Sequence, residues 1–188
     1  STGETSDSIW VSPTENTTYW VERTVNGVTS SDTVIIEVLN VNASASSSTV
    51  CLGDSVTLSM TDSAATSANE NILWSTGDTT ETIQVTPTET TTYWVRKSTA
   101  NGSCSDSVTV TVVNAQITAS STTLCESDSV ILYVENTGSN VTWSTGETQD
   151  SIWVMSSQTA SYWVESSVNG VICSDTINIR GIQKDILK

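Results

Sequence analysis

The reactive side chains of this 188-residue sequence are limited, because it holds four cysteines and no histidine. Without histidine, neither a Ser/His/Asp nor a Cys/His nucleophile can be assembled. The cysteines also lack the C-x-x-C spacing that is typical of zinc sites. The sequence therefore favours disulfide bonds over catalysis or metal binding, and we expect no enzyme.

Carboxylates are the second group that could carry chemistry, since 21 Asp and Glu against 6 Lys and Arg give a net charge of −15. This charge argues against nucleic acid and anionic membrane surfaces as partners. No apolar run is long enough to span a bilayer, so we expect no membrane insertion. Paired carboxylates could hydrolyse a glycosidic bond, but the aspartates that recur at matching positions are more often structural. These are Asp32, Asp54, Asp106, Asp128 and Asp175.

We expect these aspartates to precede strands and to close turns through hydrogen bonds from backbone N–H groups. The alternative is calcium, bound where carboxylates of adjacent units meet. The sequence has no D-x-D-x-D-G loop. Turn formation is therefore the favoured interpretation, and no cofactor is expected apart from this calcium alternative.

Seven tryptophans form two groups. Trp74 and Trp143 lie mid-strand and are expected to pack in the core, against the disulfides. The others alternate with Tyr, Val or Ile, so they point outward if those residues point inward. An outward row could stack on sugar rings or contact a like chain. The alternative is inverted alternation, or Trp covering neighbouring side chains. This candidate platform comprises Trp10, Trp20, Trp94, Trp153 and Trp163.

The elements that position these residues come from an internal repeat. The phrase W-S-T-G-[DE]-T occurs at 74–79 and 143–148, and the chain opens within it as S-T-G-E-T. Each copy continues to a Tyr-Trp-Val triplet, and the tyrosines Tyr19, Tyr93 and Tyr162 are 74 and 69 positions apart. A fixed period of this kind indicates tandem modules. Because the first residue falls inside a repeat, we expect a piece of a longer protein.

The repeat also predicts how the cysteines pair. Cys51 and Cys104 stand at the front and back of one unit, and Cys125 and Cys173 stand at the equivalent places of the next. The back position of the first unit is Ser30. We therefore predict the bonds Cys51–Cys104 and Cys125–Cys173, each closing a loop of about 50 residues worth about 4 kcal/mol. Disulfides indicate an oxidising compartment outside the cytoplasm.

Alternating apolar residues with turn signals between them predict six or seven short strands per unit and no helix. The Asn-Gly pairs predict tight hairpin turns. The fold class is therefore all-β, with tandem Ig-like antiparallel β-sandwich repeats arranged as an extended rod. Residues 40–50 are expected to be a short join. The predicted domains are a C-terminal half-repeat at 1–40, complete repeats at 41–113 and 114–180, and a linker or new module at 181–188.

The combined phrase W-S-T-G-[DE]-T, T-T-Y-W-V, N-G and C-S-D-[ST]-V resembles the Ig-like/PKD-like repeats of large Bacteroidetes surface proteins. These include gliding-motility-type adhesins exported by the type 9 secretion system. The resemblance implies a cell-surface, stalk-forming role with ligand-binding parts elsewhere. The expected function is a non-catalytic structural or adhesive stalk. The alternatives are a carbohydrate-binding module array of a secreted enzyme, or a self-assembling filament subunit.

The same resemblance implies O-glycosylation at Asp-Ser/Thr followed by a small or aliphatic residue. The alternative is that such triplets arise by themselves wherever an Asp precedes a strand in a Ser/Thr-rich chain. Expected partners are neighbouring repeats, surface glycans or a like chain. The candidate glycosylation sites are Ser8, Thr33, Ser55, Ser63, Ser107, Ser129, Ser151 and Thr176.

Overall fold

The computed structural model describes residues 1–62, 71–100, 102–125, 127–135, 140–155 and 158–182. Within these ranges the chain forms strands and turns, with no helix. The strands are β1 (Thr17–Val25), β2 (Val28–Ile36), β3 (Val41–Ala45), β4 (Thr49–Cys51), β5 (Val56–Asp62), β6 (Asn71–Trp74), β7 (Thr82–Val85), β8 (Thr91–Thr99), β9 (Gly102–Val113), β10 (Ile117–Ala119), β11 (Thr123–Cys125), β12 (Ser129–Val134), β13 (Asn140–Trp143), β14 (Ser151–Met155), β15 (Ala160–Val168) and β16 (Val171–Ile182).

The strands of the second and third repeats are ordered in the same way. Each repeat has a three-stranded sheet, β3-β5-β7 or β10-β12-β14, and a four-stranded sheet, β4-β9-β8-β6 or β11-β16-β15-β13. Seven strands in two sheets are the architecture of an immunoglobulin-like sandwich. The predicted all-β, Ig-like fold class is confirmed, whereas the rod arrangement stays a prediction.

The core of the third repeat shows why its sequence alternates. Val130, Leu132 and Ile152 come from the three-stranded sheet, and Trp143 and Val164 come from the four-stranded sheet. All five belong to one buried cluster. Since successive strand residues point to opposite faces, every second residue enters this cluster and the ones between face outward.

The first repeat consists of a two-stranded hairpin, in which β1 pairs with β2 from Thr17↔Ile36 to Val25↔Val28. Asn26 and Gly27 form its two-residue turn with φ of 50° and 78°. Positive φ at both turn residues matches the right-handed twist of the strands, as the sequence predicted. Asn169 and Gly170 repeat this geometry between β15 and β16, at φ of 51° and 81°.

Two sequence expectations about the strands are wrong. The join predicted at 40–50 contains β3 and β4, whose small residues and single valines give too weak an alternation to be recognised. The sandwich is also not wholly antiparallel, because β4 runs parallel to β9 and β11 runs parallel to β16.

The chain divides into two compact units. Trp74, Tyr93 and Val95 are buried in the first unit, and the cluster around Trp143 forms the core of the second. The predicted repeat boundaries at 40, 113 and 180 stay a prediction. The first unit is Ser1–Ser44, Ser59–Ile83 and Tyr93–Val108, and the second is Ala45–Leu58, Gln84–Thr92 and Thr109–Lys188.

Candidate interaction surface

The repeated phrase W-S-T-G-[DE]-T is a structural turn. Gly77, at φ of 92°, donates its N–H to the Trp74 carbonyl at 2.9 Å, and Trp74 donates its own N–H to the Asp78 carbonyl at 2.9 Å. The buried indole of Trp74 donates to the Thr80 carbonyl at 2.9 Å. In the third repeat the Trp143 indole donates to the Gln149 carbonyl at 2.7 Å. Both tryptophans are thus core residues with satisfied N–H groups, as expected. They end β6 and β13 instead of lying mid-strand, and the two disulfides against which they were expected to pack do not form.

The five tryptophans of the candidate platform are all exposed, from 41% for Trp163 to 101% for Trp10. They do not all line one face. Trp163 is on β15 of the four-stranded sheet, whereas Trp153 is on β14 of the three-stranded sheet. These sheets enclose the core of the third repeat between them. The two indoles therefore lie on different outer faces, and whether any of the five binds a ligand stays a prediction.

The inner face of the β1-β2 hairpin is open, unlike its counterparts. Val21 is 64% exposed, whereas the equivalent Val95 and Val164 are fully buried. An open groove of about 770 Å³ lies over this face, lined by Tyr19, Val34 and residues from the 1–11 segment. Apolar residues whose equivalents form the core in the other repeats are therefore solvent-accessible here.

The disulfide pairing differs from the prediction. Cys51 is bonded to Cys173, 122 positions along the chain, with a Cα–Cα distance of 5.6 Å. Cys104 and Cys125 are free thiols, the first half-buried and the second exposed. The predicted bonds Cys51–Cys104 and Cys125–Cys173 are therefore wrong in this structure. The bond that forms joins the front of the second repeat to the back of the third.

Strand register explains this outcome. Cys51 lies opposite Val113 at the end of β9, and Cys104 is nine residues earlier on that same strand. Cys125 lies opposite Ile182 at the end of β16, and Cys173 is again nine residues earlier. At 3.3 Å per residue the two positions are about 30 Å apart, beyond the 7 Å limit for disulfide Cα atoms.

Three of the repeated aspartates accept hydrogen bonds from backbone N–H groups, but they lie inside strands instead of before them. These are Asp32, Asp106 and Asp175. Asp106 in β9 accepts a hydrogen bond from the Ala43 N–H at 2.8 Å, and Asp175 in β16 accepts one from the Ile117 N–H at 2.9 Å. The Ala43 and Ser107 N–H groups lower the pKa of the Asp106 carboxyl below its ordinary value of 3.8. The Asp106 and Asp175 carboxylates each tie the first strand of a repeat to the last.

The other two repeated aspartates, Asp54 and Asp128, precede strands and lie in turns. Asp54 accepts a hydrogen bond from the Cys51 N–H at 3.2 Å and donates its own N–H to the Cys51 carbonyl at 3.0 Å. The Asp128 N–H donates to the Cys125 carbonyl at 3.0 Å in the same way.

Within the described ranges no three Asp, Glu or Cys side chains gather around a common point suited to a metal ion.

Most candidate glycosylation hydroxyls are on exposed residues, but Ser151 is half-buried and Ser63 lies outside the described residues. Thr33 lies opposite Trp20 across the β1-β2 pair, and Thr176 lies opposite Trp163 across the β15-β16 pair, so each is a cross-strand neighbour of a platform tryptophan. No helix among the described residues could cross a lipid bilayer.

Comparisons with known proteins give a fold likeness only. No protein-family model matches the chain, and no curated protein matches it. Murine CEACAM1b is similar over 76% of this chain and 100% of its own, at 14% identity and a TM-score of 0.36. A titin fragment matches 78% of this chain and 99% of its own, at 14% identity and a TM-score of 0.40. Extracellular domains 3–5 of Drosophila OTK match 90% and 71%, at 10% identity and a TM-score of 0.35.

Proposed function

We propose that this chain is a non-catalytic structural or adhesive stalk segment of a large extracellular surface protein. The observation that carries the proposal is the Cys51–Cys173 bond, which links two successive repeats covalently. A bond of this kind persists in oxidising surroundings outside the cytoplasm. It adds nothing to a catalytic centre, but it limits how far the chain can be drawn out under tension.

The effect on extensibility follows from the sequence separation. The bond spans 122 positions. At about 3.3 Å per extended residue, these positions hold roughly 400 Å of chain that cannot be extended while the bond is intact. A segment that transmits force between a cell surface and a ligand-binding part benefits from this restraint.

Single-molecule stretching of the chain from its two ends tests the stalk proposal. We expect the fully unfolded length to increase by roughly 400 Å when the protein is reduced. The variant Cys51→Ser should show the long form without reductant, and Cys104→Ser should behave as the unchanged protein. Equal lengths before and after reduction would contradict the proposed restraint.

A carbohydrate-binding role is the second candidate, and the five exposed tryptophans favour it. An exposed indole can stack on a sugar ring. Binding to a panel of soluble polysaccharides should then weaken at least about tenfold in Trp163→Ala or Trp153→Ala, because a lost ring contact of this size is worth about 1.4 kcal/mol. Unchanged binding in both variants, or no binding by the parent chain, would exclude this role.

A self-assembling filament subunit is the third candidate, and the open face of the β1-β2 hairpin favours it. Strands of a like chain could cover Tyr19 and Val21 as the three-stranded sheets cover their equivalents in the later repeats. Sedimentation should then show a mass that rises with protein concentration, and Val21→Asp should abolish the rise. A constant monomer mass would exclude this role.

The finer features implied by the family resemblance are also proposals. We propose that some Asp-Ser/Thr sites carry O-linked glycans in a Bacteroidetes-type host that exports such proteins by type 9 secretion. Native material should then exceed the mass of the bare chain, with the excess located at exposed sites such as Thr33 and Thr176. A native mass equal to the bare chain would refute this.

The calcium alternative has a separate test. Carboxylates that shared a calcium ion would raise the melting temperature when the ion is added and lower it when a chelator is added. We propose that the stalk needs no cofactor, so the melting temperature should be the same in millimolar calcium and in chelator. A reproducible rise in calcium would favour the alternative.

A further inference from the structure

The free thiol of Cys125 lies in the same local structure as the bonded Cys51. Both end a three-residue strand that runs parallel to the end of the last strand of its repeat. Both are followed by a turn in which an aspartate N–H donates to the cysteine carbonyl at 3.0 Å. We call these two the front cysteines. Cys125 therefore presents the geometry that forms a bond one repeat earlier.

The other free thiol, Cys104, is the equivalent of the bonded Cys173. Cys104 lies two positions before Asp106, and Cys173 lies two positions before Asp175. Each of these aspartates binds the first strand of its repeat. We call Cys104 and Cys173 the back cysteines. The bond that forms thus joins a front cysteine to the back cysteine of the following repeat.

The surroundings of Cys104 indicate where its partner would lie. Its Sγ is 3.2 Å from the carbonyl oxygen of Leu39, to which the thiol donates. Leu39 is the repeat equivalent of Val113, the residue opposite Cys51 in the strand register. The Cys104 thiol therefore already lies beside the position that a front cysteine of the preceding repeat would occupy.

Residues 37–39, which follow the hairpin, are the positions where a strand that carries such a cysteine would pair. The last three residues of β9, 111–113, pair with β4, and the last three of β16, 180–182, pair with β11. The equivalent residues 37–39 are outside any strand, since β2 ends at Ile36. The equivalent residues of the second and third repeats are in strands, and in both repeats a strand that ends in a front cysteine pairs with them.

We propose that Cys51–Cys173 is one rung of a staggered ladder, in which every front cysteine bonds to the back cysteine of the next repeat. Cys104 is then the half-site for a front strand like β4, which pairs in parallel with residues 37–39. Cys125 is the half-site for a back cysteine like Cys173. This goes beyond the stalk role, because it specifies the partner strand and the bond whether or not the chain bears force.

The covalent step is the oxidation of two thiols. The two sulfurs form one S–S bond and lose two protons and two electrons. A disulfide-bearing oxidant of the thiol oxidoreductase class accepts them and is released as two thiols. Ser30 at the back position of the first repeat cannot take part, so the ladder has no rung there.

A peptide with the sequence of residues 46–55 tests the Cys104 half-site in the whole 188-residue chain. Its cysteine is activated as a thiopyridyl mixed disulfide, so a free thiolate attacks the peptide sulfur and thiopyridone leaves. A small thiopyridyl disulfide should label the exposed Cys125 faster than the half-buried Cys104. The peptide should label Cys104 at least about tenfold faster than a scrambled peptide of the same composition does, because strand pairing raises the local concentration.

Two variants provide the controls. Cys104→Ser should abolish the preference for the ordered peptide. Glu37→Pro removes an N–H group needed for parallel pairing, so it should also abolish the preference while leaving the small reagent's rate at Cys104 unchanged. Equal rates of Cys104 labelling by ordered and scrambled peptides would overturn the proposal, and so would ordered peptide directed mainly to Cys125. Neither result depends on the stretching experiment, so this inference and the stalk proposal can fail separately.

Discussion

Trp143 and Trp163 contrast a core residue with a surface residue of the same type. Trp143 is 1% exposed and its indole binds the Gln149 carbonyl, whereas Trp163 is 41% exposed on β15. We expect Trp143→Ala to lower the free energy of unfolding by about 3–5 kcal/mol, because it leaves a cavity and a carbonyl without its donor. The measurement is urea denaturation of the isolated chain.

Trp163→Ala is the matched control for Trp143→Ala. Its free energy of unfolding should stay within about 0.5 kcal/mol of the parent, as for most surface substitutions. If both variants lose the same stability, the inward and outward phases assigned to β13 and β15 are wrong.

Asp106 predicts a pH dependence. Hydrogen bonds from the Ala43 and Ser107 N–H groups lower its pKa in the folded chain. A lowered folded pKa means that the carboxylate stabilises the fold above the ordinary value of 3.8 and that this contribution is lost as the pH falls through the folded pKa. Asp106→Asn should therefore be less stable than the parent at pH 7, and the two should converge below that ordinary value.

Thermal melts of the parent and of Asp106→Asn between pH 3 and 7 measure this difference. A difference that stays constant over this range would show that the hydrogen bonds of Asp106 do not depend on its charge.

At the scale of elements, the hairpin turns specify the register of the long strands. Gly170 has φ of 81°, where a side chain is strained, although a Cβ there would contact nothing within 4 Å. We expect Gly170→Ala to cost about 1–2 kcal/mol from backbone strain alone, measured by urea denaturation. Gly102 is the control, since its φ lies outside the left-handed region and a Cβ would again contact nothing within 4 Å. An equal loss in both variants would show that φ does not determine the cost.

The same elements show what sequence reasoning could reach. The alternation of Tyr93 and Val95 with Trp94 predicted a half-buried strand, and Asn26-Gly27 predicted a two-residue turn, because each signal is local. The strands β3 and β4 were missed because three to five small or polar residues give no clear period. Strand pairing, not local propensity, determines their structure.

The cysteine pairing was missed for a reason of geometry. Repeat equivalence matches Cys51 with Cys125 and Cys104 with Cys173, and that much is correct. Repeat equivalence does not show that β4 pairs with the far end of β9, which places Cys51 about 30 Å from Cys104. The sequence also predicted which tryptophans are exposed. It did not predict that Trp153 and Trp163 lie on different sheets of the third repeat, because that depends on the strand order.

At the scale of the whole molecule, the disulfide should dominate stability. With 122 positions between the bonded cysteines, the chain-entropy model gives about 5 kcal/mol. Cys51→Ser should therefore lower the melting temperature of the second compact unit substantially. Cys104→Ser should leave it unchanged, as the thiol there is unbonded. A loss of equal size in both variants would indicate that Cys104 takes part in a bond.

The identity of the bonded cysteines distinguishes the staggered bond from bonds within each repeat, and disulfide mapping determines it directly. The protein is produced in an oxidising compartment, its free thiols are alkylated without reduction, and the digested fragments are identified by mass spectrometry. We predict one linked pair containing Cys51 and Cys173, with alkylated Cys104 and Cys125. Linked pairs Cys51–Cys104 and Cys125–Cys173 would contradict the staggered bond and the proposed coupling of successive repeats.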